Sequence, residues 1–323
     1  MADLRNEIAW SWSRHKTLRE CPRKYYWQYY GSWGGWSEEA DSNARAAYRL
    51  KRLTSFDQLV GNAVHKALAR ALAHRPSDPC ELPAAAIAQD AERIFERGCE
   101  EYQLADDYYG VPGIPERRTA AESKLAAAVA GVRSSPLARG LFTRPKDRLR
   151  WVDYDFLHFD EKKVLVGDEY VLFGSPDVAV ADAEGGIHII EWKTGRRDES
   201  HHLQLAAYAL FLHLKLAIEL RRLSGHVVYL QATGAAQRED AAGLGAQVPA
   251  ILDMVTELYA DVRARLTDVD RNAAGEPGRF PLTEDARLCG RCNFRELCGR
   301  ADAGRDAAFP AEDGDPDDAA FMQ

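Results

Sequence analysis

The chain has 323 residues, 46% of them hydrophobic, and a formal net charge of −8; that is apolar material enough for one or two domains with a large core. The negative balance argues against broad nonspecific attraction to nucleic acid, although much of the acidity sits after Gly299, from Asp302 to Asp318. No apolar run is long enough to span a bilayer and the opening residues carry no secretory signal, so a soluble cytoplasmic protein with no membrane partner is expected.

Residues 11–30 place Leu18, Cys21 and Tyr25 at helical spacing, and Pro22 marks a break or a fresh helix start. Trp12, Tyr25, Tyr26, Trp27, Tyr29 and Tyr30 interleave with Arg14, Lys16, Arg19, Arg23 and Lys24. Such a set either stacks on bases and binds phosphates, or is a core with solvated cations. Gly31 to Trp36 reads as a Gly/Trp-rich loop, and Arg45, Arg49, Lys51 and Arg52 as a basic helix face, solvated or turned to DNA. Phe56 to Arg75 predicts a helix with an apolar stripe of Leu59, Val60, Ala63, Val64, Ala67, Leu68 and Leu72. His65 stands among them, either a satisfied core histidine or a ligand. Residues 83–105 and 116–133 predict helices to which no chemistry can be assigned. Arg144, Lys146, Arg148 and Arg150 then offer phosphate-binding cations ahead of the first expected strand, Trp151 to Phe159.

Val164 to Phe173 is read as a returning strand, with Asp168 and Glu169 as solvent-facing residues of a bulge or turn. Pro176 marks a strand start or edge, Val178 to Ala181 begins another apolar run, and Gly185-Gly186 reads as a hairpin turn before a strand over Ile187 to Lys193. Together these predict a meander of about four strands. Alternation along the last strand puts Glu191 and Lys193 on one face, Ile190 and Trp192 on the other. Asp177, Glu191 and Lys193 thus form a charge cluster that is costly near a core unless a cation or polar ligand is bound. Mg²⁺ takes oxygen ligands, often one or two carboxylates, which Asp177 and Glu191 can supply, with the Trp192 carbonyl as another. Lys193 can orient the attacking water or neutralise developing charge, so the set suits metal-assisted phosphodiester hydrolysis. Glu-x-Lys by itself is also a common surface pair.

Leu203 to Leu220 predicts a helix on which Gln204 and Tyr208 share a face, while the adjacent His201 and His202 diverge too far to share an ion. His226 to Gln231 predicts a further strand, Leu244 to Val269 a long helix, and Gly275 to Pro281 a linker. Six cysteines are too unevenly spaced for a secreted disulfide scaffold. Cys80 and Cys99 are isolated. Cys289, Cys292 and Cys298 have metal-centre spacing; zinc with a fourth ligand is one occupant, and Cys21 is the natural fourth. No Gly-x-x-x-x-Gly-Lys-Ser/Thr loop is present, so no ATPase is expected.

Pro176-Asp177 with Glu191-Trp192-Lys193 resembles the PD-(D/E)XK nuclease signature. Gly61 to His65 resembles the upstream motif of its RecB-like branch, and Gln204 to Tyr208 the helix motif that follows the catalytic strand. Cys21 with Cys289, Cys292 and Cys298 resembles the iron–sulfur subset, which includes the CRISPR-adaptation nucleases and AddB-type nuclease domains. The resemblance implies an α/β, restriction-endonuclease-like core with a central mixed β-sheet flanked by helices. The expected divisions are a mainly helical region over residues 1–150, the nuclease core over 151–235 and a helix and cysteine closure over 236–299, while composition predicts a disordered acidic tail over 300–323. The resemblance implies a metal-dependent deoxyribonuclease acting on single-stranded or end-containing DNA, with His65, Asp177, Glu191 and Trp192 holding Mg²⁺ or Mn²⁺. Lys193 would assist the attacking water and Gln204 and Tyr208 would support the phosphate. The four cysteines would hold a structural [4Fe–4S] cluster, and a helicase or other specificity factor would be a separate partner. The competing expectation is a catalytically inactive nucleic-acid-binding or scaffolding subunit with the same fold.

Overall fold

The computed structural model describes residues 6–153, 162–230 and 236–301. Ser11 caps α1 (Trp12–Glu20) by accepting from the Arg14 N–H. Cys21 ends that helix and starts α2 (Pro22–Tyr26), where Pro22 takes the first helical position that needs no N–H. A π-helical turn, Trp27–Gly31, follows, and then α3 (Ser42–Lys51), capped by Asp41. Ser55 and Gln58 form a reciprocal capping box at the start of α4 (Phe56–His74). The unassigned middle stretch folds as α5 (Ala84–Glu101), α6 (Ala105–Tyr108), α7 (Ile114–Ser134) and α8 (Pro136–Phe142). Its apolar residues Ile87, Phe95, Leu125 and Phe142 share one core with the stripe of α4.

The strands depart from a simple meander. β1 (Leu149–Val152) starts two residues before the anticipated strand, of which residues 154–159 lie outside the described residues. Val164 to Phe173 is two strands, β2 (Lys163–Val166) and β3 (Tyr170–Phe173), paired antiparallel about a turn at 167–169. Gly167 has φ +58°, which a residue with a Cβ rarely adopts, and this is what breaks the run. The hairpin is a separate two-stranded sheet. The central sheet has the order β1-β4-β5-β6-β7, with β4 (Val178–Ala181), β5 (Ile187–Lys193), β6 (Leu223–Tyr229) and β7 (Gln237–Ala241). β5 and β6 are parallel and every other pair is antiparallel, so the sheet is mixed. A parallel pair needs a crossover, supplied here by α9 (His201–Leu216). That helix stops four residues before the expected end, where Ala217 turns left-handed at φ +54°.

Helices cover both faces. Ile187 and Ile189 of β5 join the core with α9 and α10 (Leu244–Arg265), while Ile190 and Trp192 join the core with α4 and α7. After α10 the chain forms β8 (Leu266–Asp268) and β9 (Ala273–Ala274), not more helix, and α11 (Ala286–Gly290) leads into the cysteine segment. The expected linker at 275–281 is packed: Phe280 is fully buried against Tyr26 and Tyr30. The acidic tail lies outside the described residues from 302 onward. Among the described residues no helix is long and apolar enough to cross a membrane.

Candidate functional site

Two ends of the central strands and one helix meet at the candidate site. Asp177 immediately precedes β4, and its neighbour Trp192 lies near the end of β5. The Trp192 N–H donates to Asp177 Oδ2 at 2.8 Å, and His65, from α4, sits with Nδ1 2.9 Å from Asp177 Oδ1. The apolar stripe of α4 is what seats that helix on the Trp192 face of the sheet, one turn from Gly61. A Cβ on Gly61 would come within 3.3 Å of Thr194 Oγ1, so the glycine lets helix and strand end approach. Glu191 and Lys193 follow Ile187 and Ile189 in the alternation, as expected, and form a buried ion pair with Nζ 3.1 Å from Oε1. Trp192 is buried on the opposite face, leaving its backbone at the site.

Burial disfavours the charged form of His65, but Asp177 and then Glu191 outweigh it and raise its pKa to about 9. Burial likewise works against ionised Asp177, yet His65, the Trp192 N–H and Lys193 hold its carboxyl below the ordinary range. The two shifts have opposite pH limits. The His65 contribution to stability is complete below its unfolded pKa near 6.5 and is lost as pH rises through about 9. The Asp177 contribution is present above its unfolded value, ~3.9, and is lost as pH falls through the depressed folded value. In urea unfolding of the metal-free protein, wild type will therefore exceed His65→Gln most near pH 6, and the gap will close toward pH 9–10. A gap that is flat from pH 6 to 10 would exclude a charged pair.

Gln204 and Tyr208 do share a face of α9: the Gln204 amide donates to the Tyr208 hydroxyl at 2.8 Å, and both are buried. His201 and His202 diverge, the first meeting the Tyr229 hydroxyl at 2.8 Å and the second Glu239 at 3.3 Å. Asp153 was not singled out in the sequence. Its N–H donates to the Asp177 carbonyl at 3.0 Å, and its carboxylate meets Lys162 Nζ at 2.6 Å, both side chains largely buried. A charged residue within an apolar strand run was the available signal.

The basic stretches divide. Arg14 is buried with its guanidinium over Tyr29 at 4.5 Å, and Tyr25, Tyr26, Trp27 and Tyr29 are core, so this segment is not an open base-stacking face. Lys146 holds the Ala73 carbonyl at 2.7 Å and Arg148 that of Asp182 at 3.0 Å. Arg45, Arg52, Arg144 and Arg150 remain exposed.

Cys21, Cys289, Cys292 and Cys298 line one cavity, remote in sequence but joined because α2 packs on the segment before α11. Arg23 Nε donates to the Phe280 carbonyl at 2.7 Å, and the Tyr26 hydroxyl to that of Gly275 at 3.1 Å. Lys24, Arg291 and Arg300 share the cavity wall, and Arg300 Nη1 donates to Cys289 Sγ at 2.8 Å. The Phe294 N–H points at Cys292 Sγ, 3.4 Å away. Burial pushes the Cys292 thiol up to about 12, with Cys298 and Cys21 adding to it against Lys24. Cys80 and Cys99 are half-buried and elsewhere.

In kind, imidazole nitrogen with two carboxylates suits Mg²⁺ or Mn²⁺, and four thiols suit iron–sulfur or zinc. Among the described residues, however, no group of three or more His, Cys, Asp or Glu side chains is arranged to hold a metal ion. Asp177 instead spends its oxygens on His65 and the Trp192 N–H, and Glu191 lies against Lys193.

No curated protein matches the chain. A family model described as the PD-(D/E)XK nuclease superfamily matches residues 9–299. That superfamily is made in general of nucleases, typically uses divalent metals such as Mg²⁺, and its fold implies binding of nucleic acid. With a mixed sheet flanked by helices, and a match over most of its length, the chain belongs to the PD-(D/E)XK nuclease superfamily.

Proposed function

We propose that this protein is a metal-dependent deoxyribonuclease of the RecB-like iron–sulfur branch, acting on single-stranded or end-containing DNA. The observation that carries the reading is the meeting of His65, Asp177, Glu191 and Lys193 at the ends of β4 and β5. His65, Asp177 and Glu191, with the Trp192 carbonyl, would hold Mg²⁺ or Mn²⁺, which when bound lowers the pKa of water and stabilises charge on the phosphate. Holding it requires Asp177 and His65 to exchange their mutual hydrogen bond for the ion, so His65 must give up its proton. Lys193, with Nζ 3.1 Å from Glu191, would place its charge where the phosphate gains negative charge. Gln204 and Tyr208, hydrogen-bonded to each other as a buried pair, would support the phosphate.

Cys21, Cys289, Cys292 and Cys298 would hold a structural [4Fe–4S] cluster. Support comes from the shared cavity, from Lys24, Arg291 and Arg300 offsetting the negative charge of four thiolates, and from N–H donors on two sulfurs. Such a cluster would tie α2 to the segment after α11.

End-labelled linear DNA and closed circular DNA, single- and double-stranded, distinguish the substrate. With Mn²⁺ present, linear single strands will be degraded and the closed duplex spared. Cleavage of the closed duplex at a comparable rate would refute the requirement for ends or single strands. Binding without cleavage of any form would favour the inactive scaffolding subunit. Any helicase that unwinds duplex for this enzyme is a separate partner.

A further inference from the structure

The Gly/Trp-rich stretch ahead of α3 holds two large apolar rings in solvent. Trp33 is 40% exposed and Trp36 49%, whereas the nearby Trp27 is buried. The loop that carries them is held in place by its own backbone. The Trp33 N–H donates to the Tyr30 carbonyl at 3.0 Å, the Gly35 N–H to that of Ser32 at 3.1 Å and the Ser37 N–H to that of Gly34 at 2.9 Å. Gly35 seats the loop on α3, since a Cβ there would collide with the Ala44 carbonyl and with Cβ of Tyr48.

Loop and helix form one surface. Trp33 meets Trp36 edge to face with centroids 5.2 Å apart, and Trp36 meets the half-buried Tyr48 of α3 the same way at 5.9 Å. Arg45, Tyr48, Arg49 and Arg52 follow one another at steps of three, one and three residues, so they share one face of the helix and its cap. All three arginines are exposed, along about 10 Å of helix at ~1.5 Å per residue. Arg52 Nη1 donates to the Tyr48 hydroxyl at 3.2 Å, with the guanidinium 5.8 Å from the ring centroid. Arg49 donates to the Tyr108 hydroxyl at 3.1 Å and lies 3.9 Å from Glu296. Arg45 and Arg52 form no ion pair among the described residues. Asp41 spends its carboxylate on the N–H groups of Asn43 and Ala44. Glu38 and Glu39 stand exposed just after Trp36 and repel an anion there, so an anionic ligand keeps its charge on the arginine side. The two tryptophans are the only exposed large apolar side chains of residues 31–52, too few for the apolar centre of a stable protein interface.

We propose that Trp33 and Trp36, with the arginine face of α3, form an accessory binding surface for single-stranded DNA that uses none of the nuclease residues. The proposal deepens the nuclease reading and rests on it for the identity of the strand. An aromatic face stacks on any base without reading sequence, and an adjacent guanidinium takes the phosphate between bases. Exposed rings beside cations without acidic partners match a ligand that is apolar on its base faces and anionic along its backbone. A duplex hides its base faces in its own stack and can use only the arginines. Because the loop is already fixed on α3, little ordering cost is left for binding.

The test is fluorescence anisotropy of labelled oligo-dT, about 20 nucleotides long so that it exceeds one binding module, with full-length protein in EDTA. The Trp33→Ala, Trp36→Ala variant will bind about tenfold or more weakly, with the salt dependence of the wild type. The Trp33→Phe, Trp36→Phe variant keeps an aromatic face and will recover most of the affinity. Arg45→Gln with Arg52→Gln will instead flatten the plot of log affinity against log salt by about 1.4, at ~0.7 per phosphate contact. Duplex DNA of the same length will bind wild type and the alanine variant alike. Oligo-dT affinity unchanged by loss of both tryptophans would overturn the surface. So would a wild-type dimer in sedimentation that the alanine variant turns into monomer, which would make the patch a contact between two copies. Oligo-dT will also quench the tryptophan fluorescence of wild type, and no quenching at saturation would overturn the surface even if a variant fails to fold. Adding Mn²⁺ separates the two readings. Tryptophan-dependent binding without cleavage upholds the surface and removes the nuclease activity, whereas cleavage with an affinity indifferent to both rings does the reverse.

Discussion

Lys193→Ala will reduce the rate of DNA cleavage about a hundred- to a thousandfold while the protein still folds, the usual loss when one preorganised charge is removed from a transition state. The amine is buried against Glu191 at 3.1 Å, so its removal leaves a carboxylate without its ion-pair partner in a nonpolar surround. The direction for stability is therefore a loss, since breaking a buried pair costs more than the pair itself contributes. Lys193→Arg separates the two effects. It keeps the charge but not the compact ammonium, and in a pocket this tight it will retain the fold better than the activity. If Lys193→Ala cleaves at the wild-type rate, the amine has no part in the chemistry. Circular dichroism on the same samples guards against mistaking unfolding for lost catalysis.

Cys292→Ser will bleach the visible absorbance of the purified protein and lower its thermal midpoint by roughly 5–10 °C, the loss of a cross-link worth a few kcal/mol. The reasoning is topological. Cys21 belongs to the first helices and the other three cysteines to the segment from α11 onward, so a shared cluster closes a loop of most of the chain. Serine keeps the shape but loses the thiolate. A colourless wild type carrying one zinc, with Cys292→Ser releasing that zinc, would replace the iron–sulfur assignment by a zinc one. Full stability of Cys292→Ser would remove the cross-link altogether.

The parts of this fold that sequence patterning anticipated are those governed by local periodicity. The stripe of α4, the alternation of β5 and the four-residue spacing of Gln204 and Tyr208 each depend on neighbours a turn or two away. Pairing over longer distances was less legible. Gly167, Asp168 and Glu169 interrupt the apolar run from Val164 to Phe173 and read as a bulge or turn, but whether the chain bulges or reverses there depends on the antiparallel pairing of β2 with β3. Arg14 reads as a surface cation until the rings of Tyr29 and Phe173 are placed around it. Asp153 becomes notable only once β1 pairs with β4 and brings it to Asp177. At the site itself, residue types were readable and their state was not: nothing in the sequence says that Asp177 would bond His65 and the Trp192 N–H at once.

The proposed chemistry rests on two acids from neighbouring strands acting through one divalent ion. The direct measurement is cleavage of 5′-labelled single-stranded DNA in Mn²⁺ by the folded Asp177→Ala, Glu191→Ala double variant, beside wild type. Wild type will degrade the strand, lose activity on chelation and regain it with Mn²⁺, whereas the double variant will leave the strand intact at any Mn²⁺ concentration. Degradation by the double variant at the wild-type rate would contradict the assignment of hydrolysis to this site.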